Sequence, residues 1–338
     1  MLFGPYLVTR LRKTLLPHFR RHWTRDFDAL LGASIGDVRE SLAAIRAELA
    51  GLQDLRRRVA LLDWIERRRP LLEHLGTLSA ASIAPHVRQS IAAAQVVTEP
   101  TTHIVVDNLL PPEFYELLVE AIPPAEIFSD RDPVKQDFEM ADLAAAGLLT
   151  QRVWRFFDEE VIAGIVAPAL LERFRDAVID HYAETGGQEF GARAAALPHR
   201  TVAGRIQLRK PGYRLAPHLD PKRVAVTGLL YFPRPGDTED FGTQLFTVDR
   251  PFVASGLKTF FPEAAGMKCE LARTVPYRPN TMLAFVNSRA AHGATLPEGA
   301  PLAERYAFQF YVKPHDGELI KLLRDLPPEA QETWAGIR

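Results

Sequence analysis

The strongest restriction on the fold is a series of short β-type segments after Arg200, with turns and no helical pattern between them. Pro-Gly or Pro-Asn pairs interrupt the series at Pro211, Pro235 and Pro279, and such pairs favour turns. Many short strands without intervening helices are typical of antiparallel barrels and jelly rolls. The sequence therefore predicts an α+β fold, with a jelly-roll barrel, packed helices and an all-helical N-terminal region. The β-type segments are GRIQLRK, VAVTGLLYF, TQLFTV, CELARTVPY, TMLAFVN and RYAFQFYV.

Composition excludes several classes of partner. The 338 residues carry a formal net charge of −1, so no global basic excess predicts binding to nucleic acid. Cys269 is the single cysteine, which rules out an intrachain disulfide and favours a reducing compartment. No uncharged apolar run reaches the roughly 18 residues that a transmembrane helix needs. These features together predict a cytoplasmic protein.

Residues 1–25 have the pattern of a basic amphipathic helix. Leu7, Leu11, Leu15, Phe19 and Trp23 recur at steps of four, among six basic residues and no acid. Such a helix is suited to an anionic membrane surface, which predicts peripheral contact with the inner membrane face. Docking of the helix on its own protein is the alternative interpretation.

Residues 34–69 show a heptad pattern without an internal proline. Ile35, Val38, Leu42, Ile45 and Leu49 are spaced alternately by three and four residues, and Leu52 extends the series. This spacing predicts a short coiled coil that would assemble a homo-oligomer. Because three heptads are few, a helical hairpin within one chain is an equal alternative.

The character of the sequence changes near Glu99. His103 to Val106 is predicted to be a strand, and Pro111 to Ala121 a helix that begins at proline. Ala169 to Gly187 is predicted to be another helix, ending at a glycine pair. We therefore divide the chain into a helical region, residues 1–98, and a second domain, residues 99–338.

The candidate site begins with His218 and Asp220, two residues apart beside a predicted strand. Side chains at i and i+2 on a strand point to the same face, so both could reach one metal ion. His292, after the apolar strand TMLAFVN, is the candidate third ligand, whereas His315 lies in the polar turn KPHDGE. Two imidazoles and one carboxylate form the facial triad of non-haem Fe(II) oxygenases. The same ligands also suit a zinc hydrolase, and an isolated His-x-Asp is more often a hydrogen-bonded pair.

Several blocks in order resemble the Fe(II)/2-oxoglutarate-dependent dioxygenases, specifically the prolyl-hydroxylase-like branch. The resemblance covers Thr101 to Lys313 and implies a double-stranded β-helix, a cupin-like barrel. Its blocks are HIVVDNLLPPEFYELLVEAIP, IQLRKPGYRLAPHLD, FGTQLFTV, VPYRPNTMLAFVNSRAAHGA and ERYAFQFYV.

The resemblance implies roles for particular residues. His218, Asp220 and His292 would bind Fe(II). Arg305 falls where the family has the cation that pairs with the far carboxylate of 2-oxoglutarate, and a guanidinium grips a carboxylate with two hydrogen bonds. The tyrosine that often precedes the Gly turn in the family is absent here. Gln207, Tyr213 and Tyr231 are the candidates for that co-substrate contact.

The implied reaction uses O2 and 2-oxoglutarate to hydroxylate a C–H bond, releasing succinate and CO2, with ascorbate as a further candidate cofactor. We expect a small molecule, a glycan or a lipid or envelope precursor as substrate. A protein (prolyl-type) hydroxylase, a zinc-dependent hydrolase and a non-catalytic scaffold are the alternatives. Phe128 to Leu149 and Gly236 to Phe241 are predicted to be loops or lids near the mouth of the site.

Overall fold

A computed structural model describes residues 38–69, 71, 79–129, 132–250, 258–288, 290–299, 304–332 and 334. The chain divides into two compact units, Met1–Val59 and Ala60–Arg338. The predicted basic helix of residues 1–25 lies outside the described residues. The predicted domain boundary between residues 98 and 99 remains a prediction.

In the first unit, residues 38–59 are helical. The described apolar residues of the heptad pattern, from Val38 to Leu52, are solvent-exposed, from 48% for Leu42 to 59% for Val38. Because this apolar stripe has no cover within the described unit, the predicted coiled coil stays an open prediction.

The second unit contains the helices that pack on the sheet. Residues 60–68 are helical, and the buried Trp64 donates its Nε1–H to the carbonyl oxygen of Ile122 at 2.9 Å. None of the described helices is long and apolar enough to span a membrane. The other helices are α1 (Ala80–Ala93), α2 (Pro112–Glu120), α3 (Leu148–Phe156), α4 (Ala167–Arg173), α5 (Arg175–Ala195), α6 (Asp316–Leu323) and α7 (Pro328–Glu332), with a π-helix, Phe157–Val166, between α3 and α4.

Ten described strands form two sheets, and every strand pair is antiparallel. The strands are β1 (His103–Val106), β2 (Lys135–Glu139), β3 (His199–Arg209), β4 (Arg214–His218), β5 (Val226–Phe232), β6 (Gln244–Val248), β7 (Cys269–Thr274), β8 (Met282–Val286), β9 (Ala291–Thr295) and β10 (Arg305–Pro314). The larger sheet has the order β1-β8-β5-β10-β3-β2, and the smaller has the order β4-β9-β6-β7. The prediction of mixed helices and antiparallel sheet is confirmed.

Both faces of the central strands β5 and β8 are buried, which explains their nearly continuous apolar runs. On one face, Phe308 of β10 packs against Trp154 and Phe157, with ring centroids 5.5 and 5.1 Å apart. On the other face, Leu229 of β5 belongs to a cluster that also contains Leu245 of the smaller sheet. Successive side chains of a strand therefore point alternately towards the helices and towards the cavity that holds the candidate site.

Two element predictions need correction. Phe128 to Leu149 is not a loop, because it contains β2 and the beginning of α3. The strand forms there because Phe138 is buried and β2 pairs with β3. The glycine pair does not end the second helix: Gly187, with φ +78°, is a kink, and α5 continues to Ala195. The predicted strand at His103 to Val106 is present.

Candidate metal centre

His218, Asp220 and His292 come together in a cavity that is lined by residues of both sheets. His218 ends β4 and is paired in register with His292 of β9, while Asp220 follows two residues later. One potential ligand atom from each residue lies within 4.8 Å of the others. All three side chains are buried. The structure thus brings the sequence-predicted ligands to one point.

Both imidazoles are prepared to offer a lone pair. Nδ1–H of His218 donates to the carbonyl oxygen of Ala216 at 3.0 Å, and because a carbonyl can only accept, Nε2 keeps its lone pair. Nε2 of His292 lies 3.7 Å from Oδ2 of Asp220. Burial, followed by the neighbouring His218, lowers the pKa of His292 to about 3 against the opposing effect of Asp220. His292 is therefore neutral at neutral pH, as metal binding requires.

Two hydroxyl groups hold the Asp220 carboxylate. Thr227 Oγ1 donates to Oδ2 at 2.7 Å, and the Tyr311 hydroxyl donates to Oδ1 at 3.0 Å. Burial, and then the charge of Asp220, raise the pKa of Tyr311, so the phenol remains a donor. Asn287 Nδ2 donates to the backbone oxygen of Asp220 at 2.8 Å. The carboxylate is therefore fixed in direction as well as buried.

The cluster fits a divalent metal ion. Asp220 is only 2% exposed, and among the described residues it has no lysine or arginine within ion-pair distance. A buried carboxylate without a counter-charge is unfavourable by several kcal/mol. A cation bound to two neutral imidazoles and this carboxylate would supply that charge, and the ligand set suits Fe(II) or Zn²⁺.

Arg305 is a second buried charge in the same cavity. It begins β10 and is 2% exposed. Its guanidinium donates to the carbonyl oxygen of Phe241 and, at 3.3 Å, to Thr243 Oγ1. Both acceptors are neutral, and no carboxylate of the described residues forms an ion pair with Arg305. The cavity, of about 190 Å³ within the described residues, therefore pairs a metal-type cluster with an uncompensated cation.

The three other predicted co-substrate residues have different positions. Gln207 and Tyr213 line the cavity, and Gln207 Nε2 donates to Gln309 Oε1 at 2.7 Å. Tyr231 is not among the described residues that line it. Its hydroxyl donates to Thr243 Oγ1 at 2.8 Å, and the Arg305 guanidinium lies 5.5 Å from its ring centroid. Tyr231 thus supports Arg305. His315 is exposed and does not line this cavity.

The sequence interpretation missed the residues that hold the others in place. Thr227 lies in an apolar strand, and nothing in the sequence distinguishes it as a partner of Asp220. Gln309 and Tyr311 alternate with Arg305 along β10, a visible signal that they share its face. Arg205, Gln207 and Arg209 alternate along β3, and all three line the cavity. β3 is not an edge strand, because it lies between β10 and β2.

Comparison with solved structures finds prolyl hydroxylases and an epimerase at low similarity. A Pseudomonas putida prolyl-4-hydroxylase has 15% identity and a TM-score of 0.35, over 68% of this chain and 97% of that one. A Trichoplax adhaerens prolyl hydroxylase, in complex with a hypoxia inducible factor peptide, has 13% identity and a TM-score of 0.35, over 70% and 91%. The epimerase SnoN, in complex with Fe3+, alpha ketoglutarate and nogalamycin RO, has 15% identity and a TM-score of 0.38, over 74% and 92%.

No protein-family model matches the sequence, and no curated protein matches it. The TM-scores of these three structures all lie below 0.5.

Proposed function

We propose that this protein is an Fe(II)- and 2-oxoglutarate-dependent oxygenase that hydroxylates a C–H bond. One observation carries the proposal: the buried cluster of His218, Asp220 and His292 shares a cavity with Arg305, whose buried guanidinium has no carboxylate partner among the described residues. A metal ion and a separate cation are complementary to a ligand with a chelating end and a distant carboxylate. 2-Oxoglutarate has both, with its keto acid at one end and a second carboxylate at the other.

In this proposal, each part of the cavity has a defined role. His218, Asp220 and His292 bind the ion on one face, while Thr227 and Tyr311 fix the carboxylate. Arg305 binds the far carboxylate of the co-substrate, and Thr243 and Tyr231 keep the guanidinium in place. Two sheets that pack as a double-stranded β-helix would provide the rigid support that such positioning needs.

Bound Fe(II) would supply the activation of O2, coupled to decarboxylation of 2-oxoglutarate into succinate and CO2, with one oxygen atom transferred to the substrate. The residues of the chain orient the co-substrate and the target C–H bond and keep water from the buried ligands. We propose a small molecule, a glycan or a lipid precursor as the substrate. Ascorbate stays a candidate for sustaining the ferrous state.

A zinc hydrolase would use the same three ligands but would also need a carboxylate or similar group as general base beside the bound water. Asp220 is the only carboxylate among the described residues that line the cavity. It is occupied as a ligand in either case. A hydrolase would also leave the buried Arg305 without a role, and both points favour the oxygenase.

The location and assembly of the chain belong to the same proposal. We propose a cytoplasmic protein whose residues 1–25 contact the membrane surface and whose residues 34–69 bind a second copy. The exposed apolar stripe from Val38 to Leu52 supports the second part, since identical helices with heptad spacing can cover one another's stripes.

The proposal is tested by adding Fe(II) and 2-oxoglutarate to the full-length protein without oxygen. Chelation of the keto acid to iron is expected to give a weak visible charge-transfer band. Admission of oxygen should then release succinate. The matched control is His292→Gln, which removes one ligand and should abolish the band. If the wild-type protein gives no band and no succinate, the oxygenase assignment is wrong.

A further inference from the structure

We infer that the substrate carries an anionic group, a carboxylate or a phosphate, which binds to Arg205 and Lys135 in the cavity. The inference rests on the proposed function, which assigns the metal cluster to iron and Arg305 to 2-oxoglutarate. The inference goes further, because it identifies a second anion site and thereby the chemical class of the substrate.

The side chains that line the cavity are unbalanced in charge. Among the described residues, four cationic side chains line it and Asp220 is the only carboxylate. Arg209 is compensated, since its Nη2 forms an ion pair with Asp137 Oδ1 at 2.8 Å. The remaining cations are Arg305, Arg205 and Lys135.

Iron and 2-oxoglutarate do not remove this imbalance. Fe(II) and Arg305 together carry three positive charges, and Asp220 and doubly ionised 2-oxoglutarate carry three negative charges. The loaded centre is therefore neutral as a whole. Arg205 and Lys135 are left over, and uncompensated cations in a cleft concentrate anionic ligands.

Arg205 has the geometry of a preformed anion site. It is half-buried, and its Nε donates at 2.9 Å to Gln309 Oε1, a neutral acceptor to which Nη2 also donates. Glu139 faces it across β2 and β3 in register, but that exposed side chain forms no ion pair with Arg205 among the described contacts. A guanidinium fixed by a neutral amide keeps its full charge and presents its remaining N–H groups to a ligand.

Lys135 adds a second cation from the neighbouring strand. It is the first residue of β2, is exposed, and lines the cavity, so it lies where the cavity opens to solvent. No side-chain partner of its ammonium group is found among the described residues. Lysine binds phosphate or carboxylate as a point charge on a flexible side chain. Lys135 can therefore contact an anionic group that enters the cavity and binds Arg205.

The anion site is connected to the metal cluster by hydrogen bonds. Gln309 accepts from Arg205 and donates its Nε2–H to the Tyr311 hydroxyl at 3.2 Å, and Tyr311 in turn donates to Asp220. An anionic group held at Arg205 is thus two side chains from a metal ligand. This is close enough for one small molecule to span from the anion site to the oxidised C–H bond.

The experiment measures binding of inorganic phosphate by calorimetry to the full-length protein loaded with Fe(II) and saturating 2-oxoglutarate without oxygen. Acetate, titrated in parallel, distinguishes a preference for phosphate from one for carboxylate. Saturating 2-oxoglutarate keeps Arg305 occupied. We expect saturable binding that weakens on the order of tenfold in Arg205→Gln and about twofold to fivefold in Lys135→Gln.

Two further variants separate charge from structure. Arg205→Lys keeps the positive charge but loses the planar set of guanidinium N–H donors, and it should retain more phosphate affinity than Arg205→Gln. Arg152→Gln removes an exposed arginine outside the cavity and should leave phosphate affinity unchanged. Equal affinity in wild type, Arg205→Gln and Lys135→Gln, or no binding of either anion to wild type, overturns the inference. Absence of the charge-transfer band in the same samples counts instead against the proposed function, so the two failures are distinguishable.

Discussion

Replacement of Arg305 by methionine tests how the cavity recognises its co-substrate. Arg305 is 2% exposed, and its guanidinium donates to the neutral acceptors of Phe241 and Thr243. Methionine fills a similar volume without a charge, and it is flexible enough to pack against the rings of Tyr231 and Tyr277 that flank Arg305. The variant should therefore fold and bind metal, because none of the three metal ligands contacts Arg305 through a hydrogen bond.

The expected effect follows from the loss of one partner in a buried ion pair. Such a loss destabilises by about 3–5 kcal/mol, since the other charge is left buried and unpaired. At about 1.4 kcal/mol for each tenfold change, the affinity for 2-oxoglutarate should fall by a factor of roughly 100 to 4,000. The measurement is a titration of the charge-transfer band with 2-oxoglutarate in the absence of oxygen.

Pyruvate provides the matched control, because it has the chelating keto acid but no far carboxylate. Wild type and Arg305→Met should bind pyruvate with similar affinity, so that the whole difference appears with 2-oxoglutarate. The reasoning is refuted by a variant that binds 2-oxoglutarate as tightly as wild type. It is equally refuted by a variant that loses affinity for both keto acids to the same degree, since that would indicate a general disturbance of the site.

Three further predictions concern other parts of the chain. Thr227→Val removes the hydroxyl that donates to Asp220 Oδ2, and Fe(II) affinity, measured by competition with a chelator, should fall about tenfold to a hundredfold; an unchanged affinity would contradict this role. Leu42→Glu combined with Leu49→Glu should shift the sedimentation of the protein to a smaller species, whereas identical sedimentation would argue against the helical oligomer. Burial lowers the pKa of His181 to about 3, so below the unfolded-state pKa of about 6.5 the unfolded chain binds a proton that the folded chain does not. The free energy of unfolding should therefore decrease as the pH is lowered from about 6.5 towards 3, by up to about 1.4 kcal/mol per pH unit. Urea titrations of His181→Gln should show a smaller decrease over the same pH range.

The ligand cluster was predictable because its signal is local. His218 and Asp220 share a strand face by spacing alone, and the strand before His292 is apolar enough to identify. What the spacing does not contain is the pairing of β4 with β9, which sets His218 opposite His292. That pairing depends on contacts between residues more than 70 positions apart, so the third ligand needed the family resemblance for support.

The supporting residues were not predictable for the same physical reason. Tyr231 occupies an apolar strand, where a tyrosine can face either side of the sheet. In the structure its ring lies 5.5 Å from the Arg305 guanidinium. β2 was missed because its sequence, KQDFE, is polar and short. Its strand conformation depends on hydrogen bonds to β3 and on one buried side chain, Phe138, neither of which gives a periodic pattern.

The polar face of β10 connects the metal cluster to the proposed anion site through one amide. Gln309 Oε1 accepts from Arg205 and Gln207, while its Nε2 donates to Tyr311. Replacement by glutamate keeps the shape and the acceptor for Arg205 but substitutes an anion for the donor. The Tyr311 hydroxyl has a single proton, so a carboxylate at position 309 competes with Asp220 for it.

Gln309→Glu should therefore change two measured quantities together. Neutralisation of Arg205 should weaken phosphate binding about as much as Arg205→Gln does. Loss of the Tyr311 hydrogen bond should lower Fe(II) affinity about tenfold, within the range for partners of metal ligands. Tyr311→Phe is the matched control, since it should lower Fe(II) affinity alone. If Gln309→Glu weakens metal binding but leaves phosphate binding intact, the charge of Arg205 does not recognise the substrate, and the connection along β10 serves only to hold Asp220.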